Sequence, residues 1–337
     1  MPAIELPPPR NTRALAGASW GRRRTSAGPA LVHRLAPAGL ALALALSGCT
    51  AKEPQQPAAT MPTTQTTPPA GLVSSAPLET ARSTQTLPVY WLGRNDQDVF
   101  LYREFFSAKT TDEPMVAALR TMMGTRPLDP DYYSLWNAPS RLGVSISAQN
   151  VITVDVSADA FGQQVDQGIA ERSIAQLVYT ATAAAAMAGL VDSNSTLQVA
   201  ILVDGHTGYK AFGHVPLDKP LTRDPALVAP VWIIDPAEGR NVGSLPLAVE
   251  GQGVSTTGTL AWSLAPVAGD PAGGATVGAS YLDGTVSLAN GPGQLGGFSF
   301  TLLPPPGRYE LAVYIDDPAM PGIRRGLDTK IVNITKP

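Results

Sequence analysis

A single thiol, a pair of histidines and a few neighbouring carboxylates are the residues of this chain whose types and spacing could do chemistry. Cys49 is the only cysteine, so a disulfide or a Cys-based metal site within the chain is excluded. His206 and His214, flanked by Asp204 and Asp218, could offer a mixed nitrogen and oxygen set to a metal. The plainer reading, two surface histidines in a connecting loop, is preferred. Asp235 with Glu238, and Asp316 with Asp317, could pose as acid–base pairs or as hard ligands for calcium. They sit at turn positions, where Asp commonly bonds its own backbone, and that reading is preferred. Ser193-Asn194-Ser195 lacks the Gly-x-Ser-x-Gly elbow of a serine nucleophile, and no phosphate-cradling glycine pattern occurs. No catalytic residue, metal or cofactor is therefore assigned, and the chain is read as a non-enzyme. The better candidate is the aromatic loop carrying Tyr132, Tyr133 and Trp136. Such a loop can serve as a protein interface or a glycan platform, or it can fold back as a lid on the core.

Cys49 acquires a chemical role from what precedes it. Arg22, Arg23, Arg24 and Arg34 come first, then the apolar run Leu35 to Leu46, then Ser47-Gly48-Cys49. Basic, apolar and small residues in that order make an export signal. The run is about a dozen residues, whereas a spanning helix needs roughly 20. The ending Leu46-Ser47-Gly48-Cys49 resembles the lipobox of bacterial lipoproteins. That resemblance implies cleavage before Cys49 and diacylation of its thiol, with the new amino terminus acylated as well. Two or three acyl chains anchor a protein firmly where one does not. Residues 1–30 are long for the basic lead of such a signal. Arg22-Arg23-Arg24 admits a twin-arginine reading, which Thr25-Ser26-Ala27 does not favour, and a start at Val32 would leave a short conventional signal.

Removing 1–48 takes away six of the 24 basic residues but one of the 27 acidic ones, so the remainder is distinctly acidic. It shows no basic stripe, and nucleic acid is not expected as a partner. Residues 49–86 hold Pro54, Pro57, Pro62, Pro68, Pro69 and Pro77 among Thr, Gln and Ala. That composition cannot bury enough apolar surface to offset chain entropy, so it reads as a disordered tether.

The elements that must position any site fall into two blocks. In 87–215, strands are expected at 87–92 and 98–106, followed by a helix with Thr111 or Asp112 as N-cap and Pro114 near N1. A hairpin over 141–156, a helix over 168–187 closed by Gly189, and a strand at 197–203 complete it. The order β-β-α-β-β-α-β gives an α+β domain with two helices on one sheet. The carriers "LPVYWLGRNDQDVFLYREFF", "EPMVAALRTMMGT", "VSISAQNVITVDVS" and "ERSIAQLVYTATAAAAM" before "LQVAILVDG" resemble the GerMN domain. That resemblance implies an extracytoplasmic scaffold or interaction module, related in shape to ring-building motifs of secretion and sporulation complexes.

Residues 216–228 read as a linker. In 229–335, short strands are expected at 231–234, 247–250, 259–264, 276–281, 297–303, 308–315 and 329–334. Seven strands between Gly, Pro and Asn turns suggest an all-β immunoglobulin-like sandwich. "VWIIDPAEGRNVG", "LAVEGQG", "GTLAWSL", "GGFSFTLLPPPGRYELAVYIDD" and "DTKIVNI" resemble the Gmad2 family, an immunoglobulin-like domain that accompanies GerMN in bacterial lipoproteins. The stretch Ala265 to Gly274 departs from it, being longer than a simple hairpin connection.

The expectation is thus a lipid-anchored protein on the extracytoplasmic face of the cell membrane, presenting two interaction domains on a tether. Its expected partners are the membrane, through the anchor, and an envelope protein. The resemblance implies a signalling, wall-homeostasis or sporulation and germination setting. Binding of peptidoglycan by a wall-glycan lipoprotein is the alternative. The Ala, Gly and Pro content fits a GC-rich source such as an actinobacterium.

Overall fold

The computed structural model describes residues 86–335 except 96, 109–111, 163, 193–194, 270–274, 318–319 and 321. Cys49, the signal and the tether lie outside the described residues. Among the described residues no helix is long and apolar enough to cross a membrane.

The N-terminal half opens with strands β1 (Thr86–Asn95) and β2 (Asp98–Ser107), paired antiparallel over their full length. Strand β1 is buried almost end to end. Side chains alternate across a strand, so Leu87, Val89 and Trp91 enter one hydrophobic cluster while Tyr90 and Leu92 enter another. Helix α1 (Pro114–Gly124) starts with Pro at its first turn. Its N-cap is Glu113, which makes no side-chain cap bond, in place of the expected Thr or Asp. The loop aromatics then form the short strand β3 (Tyr132–Tyr133), paired with Leu92 and Gly93 of β1. Strands β4 (Leu142–Ile146) and β5 (Val151–Val156) make the expected hairpin. Helix α2 (Gln167–Met187) follows, and β6 (Gln198–Val203) returns parallel to β5. A parallel pair needs a long crossover, which α2 supplies. Asp166 caps α2, accepting from the Ile169 N–H at 3.0 Å, and Gly189 at φ 68° ends it.

One sheet was expected here, but the structure has two of three strands each, β2-β1-β3 and β4-β5-β6. The segment between β3 and β4 is tied to α2, not to β1: the Trp136 indole donates to the Ser173 carbonyl at 3.0 Å. Helix α2 also occupies the open side of β1. Tyr90 donates its N–H to Thr180 Oγ1 at 3.1 Å, and its carbonyl accepts from Gln176 Nε2 at 2.9 Å. Two side chains thus replace a neighbouring strand and satisfy a buried peptide group. The Ala181–Ala186 stretch, holding one threonine and no side chain larger, allows this close packing.

The stretch expected to be a linker belongs to this half. A small hairpin, β7 (Lys210–Ala211) with β8 (Val215–Pro216), leads into it. Leu221 bridges Val199, Val228 bridges Leu101, and the Ala229 N–H donates to the Leu101 carbonyl at 3.0 Å. Arg223 is buried, with Nε on Thr182 Oγ1 at 2.7 Å and Nη2 on the Tyr179 carbonyl at 3.2 Å.

The C-terminal half is almost wholly β. One sheet has the order β15-β11-β9, from β9 (Val231–Asp235), β11 (Leu247–Gly253) and β15 (Gly296–Leu302). The other holds β10 (Arg240–Val242), β12 (Thr259–Ala268), β13 (Thr276–Val277), β14 (Leu282–Ser287), β16 (Gly307–Asp316) and β17 (Arg324–Ile334). Their inner faces share one core, including Ile233, Val249, Leu264, Leu311 and Val332. The expected strand at 276–281 shrinks to two residues, and β14, which pairs with β12, was not anticipated. Its alternation has Gly284 where a large side chain would signal a strand. Gly284 is packed under the Trp262 ring, where a Cβ would stand 2.7 Å away. Part of the long Ala265–Gly274 connection proves to be an extension of β12 through Ala268.

Candidate functional site

The two halves meet through a buried polar cluster and, beside it, a groove. On β17 the inward-facing positions are Gly326, Asp328, Lys330, Val332 and Ile334. Asp328 and Lys330 face the other half, and the lysine reaches across to it. Lys330 Nζ lies 2.5 Å from Asp129 Oδ2 and 2.7 Å from the Tyr132 hydroxyl. That hydroxyl donates to Asp328 Oδ1 at 2.9 Å, while Asp328 Oδ2 accepts from the Ile233 N–H at 2.6 Å. Glu104 accepts from the Asp129 and Leu128 N–H groups at 2.8 and 2.9 Å, fixing the loop that presents Asp129. Asn95 adds a bond to the Leu327 carbonyl at 3.1 Å.

Electrostatics follow from this burial. Desolvation would lower the Lys330 ammonium, but the Asp328 and Asp129 carboxylates outweigh it and hold it well above the usual lysine range. Burial raises Asp328, against the opposing pull of Lys330. Burial likewise raises Glu104, which its two N–H donors only partly offset. Tyr132 is pushed far up by burial and then by Asp328, so its hydroxyl keeps its proton and acts as a donor. A buried ammonium among carboxylates with every partner in reach is a structural fastener: the proton stays on Lys330, and no amine is offered for chemistry.

The groove runs along the same junction. Its larger part, about 710 Å³, is walled by Tyr90, Arg103 and Arg223 from the first half and by Trp232, Glu250 and Phe298 from the second. A smaller part, about 370 Å³, continues past Arg103, Phe105, Ile234 and Glu250. Strand β9 builds this wall through its alternation. Val231 and Ile233 point into the sandwich core, whereas Trp232 joins the core of the first half. The guanidinium of Arg223 stacks 4.7 Å over Tyr179, and that of Arg103 lies 5.2 Å over Phe105.

The proposed aromatic interface is corrected. Tyr132 and Trp136 are buried, and Tyr133 is half-buried. Tyr132 stacks on Tyr102 and faces the chain's own second half. Trp136 packs against Phe161 and Phe212. Burying these rings removes so much apolar area from water that the lid arrangement wins. His206 and His214 are exposed, His206 bonding the Asp204 carbonyl at 2.7 Å. Asp204 pairs with Arg141 at 3.1 Å, and among the described residues no metal-sized group of His, Cys, Asp or Glu forms. Asp235 is taken by Arg240, Glu238 by the Ile331 N–H at 2.7 Å, and Asp317 by Arg325 at 3.1 Å. Asp316 is exposed, and Ser193 lies outside the described residues.

Sequence reasoning missed Lys330, Asp328, Asp129 and Trp232 as junction residues. A signal existed: Asp328 and Lys330 share the parity of the core residues Val332 and Ile334 on one strand.

No curated protein matches the chain. Among solved structures, the tandem GerMN domains of the sporulation protein GerM from Bacillus subtilis share 16% identity. That alignment covers 45% of this chain and 51% of the other, at a TM-score of 0.31. The first GerMN domain of the same protein shares 14% identity over 41% of this chain and 97% of its own, also at 0.31. The chain thus spans about half the length of the tandem structure. Residues 88–208 match the Germane family, described as sporulation and spore germination, and so mark a GerMN domain over β1 to β6.

Proposed function

We propose that this is a non-enzymatic, lipid-anchored protein of the cell envelope, holding an interaction platform outside the cytoplasmic membrane. The GerMN match at 88–208 is the observation that carries the reading, since it links the chain to sporulation and germination proteins. The C-terminal sandwich is read as a Gmad2-type immunoglobulin-like domain, and Cys49 as the lipidated first residue of the mature chain. The buried Lys330 cluster supports a platform role, because it joins the halves into one surface and has no open nucleophile. Wall-glycan binding has lost its best residue support, because Tyr132 and Trp136 face inward.

Two measurements on living cells test this. The wild-type chain should incorporate labelled palmitate and Cys49→Ala should not; equal labelling ends the lipoprotein reading. Crosslinking should recover an envelope protein held by the wild type. Recovery of wall glycan alone would replace the platform with a glycan binder.

A further inference from the structure

The end of the sandwich where β15 runs on toward β16 is apolar and exposed. Leu303 is 72% exposed, Tyr281 54% and Leu245 44%. The strand pairing brings them together. Leu247 pairs with Leu302, so Leu245-Pro246 and Leu303 leave the β11–β15 ladder side by side. The loop from Leu303 to Pro306 is tied to Tyr281. The Tyr309 hydroxyl donates to the Pro305 carbonyl at 3.0 Å, and the Tyr309 ring lies 6.3 Å from that of Tyr281. Large apolar side chains gathered on an exposed surface mark a contact with a protein or a membrane.

Two observations select the membrane. The first is charge. The connections that form this tip, 243–246 (Gly-Ser-Leu-Pro), 278–281 (Gly-Ala-Ser-Tyr) and 303–306 (Leu-Pro-Pro-Pro), contain no charged residue. The first charges behind it, Asp283 on β14 and Arg308 on β16, are of opposite sign. The connection from β12 to β13 and residues 335–337 add one acid and one base, Asp270 and Lys336, which lie outside the described residues. The opposite end of the sandwich also exposes Met320 and Ile323, but in a loop flanked by Asp316-Asp317 and Arg324-Arg325. The second observation is where the chain enters. Thr86, at the start of β1, lines the smaller part of the groove together with Asp235, Ala237, Glu238 and Arg240. That β9–β10 turn leads through Val242 directly into the tip at 243–246. The chain arriving from Cys49 thus joins the fold beside the segment that leads to the tip. As a flexible coil, residues 49–86 reach roughly 35 Å, enough to lay the tip on a membrane that holds Cys49.

We propose that this tip inserts into the surface of the lipid bilayer, with Leu303 and Leu245 among the acyl chains and Tyr281 at the headgroup level. Tyrosine suits that level, having an apolar ring and a polar end. Recognition is by apolar burial, so neutral and acidic lipids serve alike. The anchor only tethers the molecule; the tip orients it and sets which surfaces face away from the membrane. The proposal deepens the envelope reading and rests on its lipid anchor for bringing the chain to the bilayer.

The tip is tested on the purified full chain carrying Cys49→Ser, so that a fluorophore reports one introduced thiol and no acyl anchor is present. A nitrobenzoxadiazole label is placed through Leu303→Cys or, as the control, through Leu190→Cys, an exposed apolar site just beyond α2. Vesicles are of phosphatidylcholine alone or with phosphatidylglycerol, each with and without nitroxide-bearing acyl chains. Quenching is the readout, because the run Leu35 to Leu46, left uncut in this variant, can hold the chain to vesicles by itself. The label at 303 should be quenched much more strongly than the label at 190, and equally in both lipid mixtures. Leu245→Asp should lower the ratio of inserted to free label at 303 about tenfold, with the melting temperature unchanged. Three results would each overturn the proposal: no excess quenching at 303, quenching confined to phosphatidylglycerol, or self-association in vesicle-free buffer that Leu303→Asp abolishes. The last would assign the tip to a second copy of the chain. Quenching at 303 without palmitate labelling of the wild type would leave the tip standing and remove the anchor; labelling with an unquenched tip would do the opposite.

Discussion

At the scale of the residue, the junction shows how a charge can be kept inside a protein. Lys330 is held as an ammonium by the Asp328 and Asp129 carboxylates, with the Tyr132 hydroxyl accepting a further bond from it. Removing one partner of such a set leaves the others buried and uncompensated, which is why these clusters resist piecemeal change. Asp328 and Glu104 have folded-state values above those of an unfolded chain. In the window between the ordinary carboxylate range, about 4, and those raised values, the folded state holds more protons than the unfolded one. Stability from these groups therefore falls as pH rises through that window and recovers as pH falls. The raised Lys330 acts elsewhere: its contribution is complete below the ordinary lysine value and disappears only in strong alkali. Melting temperatures of wild type and Asp328→Asn should thus diverge in favour of wild type as the pH is lowered from neutral toward about 4. A divergence of the opposite sign would contradict the junction described above.

At the scale of the element, much of the architecture was readable from periodicity. The apolar alternation of Ile152, Val154 and Val156 identified β5, and the long run to Met187 identified α2. What periodicity does not carry is how elements satisfy one another. Gln176 and Thr180 look like polar interruptions of an apolar helix, yet both are buried. Their reason lies in β1, where the Tyr90 peptide group faces α2 in place of a strand. The same limit explains the single sheet expected in place of two. It also explains β14, whose Gly284 answers to the Trp262 ring and not to an alternation. Replacing Gln176 with Leu keeps the helix but strands the Tyr90 carbonyl. That should cost about 1–3 kcal/mol of stability in chemical denaturation. An unchanged midpoint would show that the contact carries no weight.

At the scale of the whole molecule, the sequence announced two domains joined by a linker, and the boundary is where it misled. Residue types alone cannot distinguish a free connection from one pinned by long-range bonds, such as Ala229 on Leu101 or Tyr179 on Asp224. Trp232 leaves its own sandwich to fill the neighbouring core. Calorimetry should therefore show a single cooperative transition for the described halves. Lys330→Met should lower its stability by about 3–5 kcal/mol. Two resolved transitions in the wild type would mean that the junction does not couple the halves. The candidate site was less legible than the fold, because a groove is made by two distant segments whose meeting no local pattern encodes.

The pinned segment from Leu217 to Ala229 also bears on how such a chain can be rearranged. Proteins assembled like beads can exchange a domain by recombination at the string between them. Here a cut before that segment would separate Arg223 from Thr182 and Val228 from Leu101, and a cut after it would pull Trp232 from the first half's core and Lys330 from Asp129. A viable exchange would have to leave the seam with the first half and supply a C-terminal half that brings its own match for Trp232 and Lys330. The unit that heredity can pass around is therefore the fused pair.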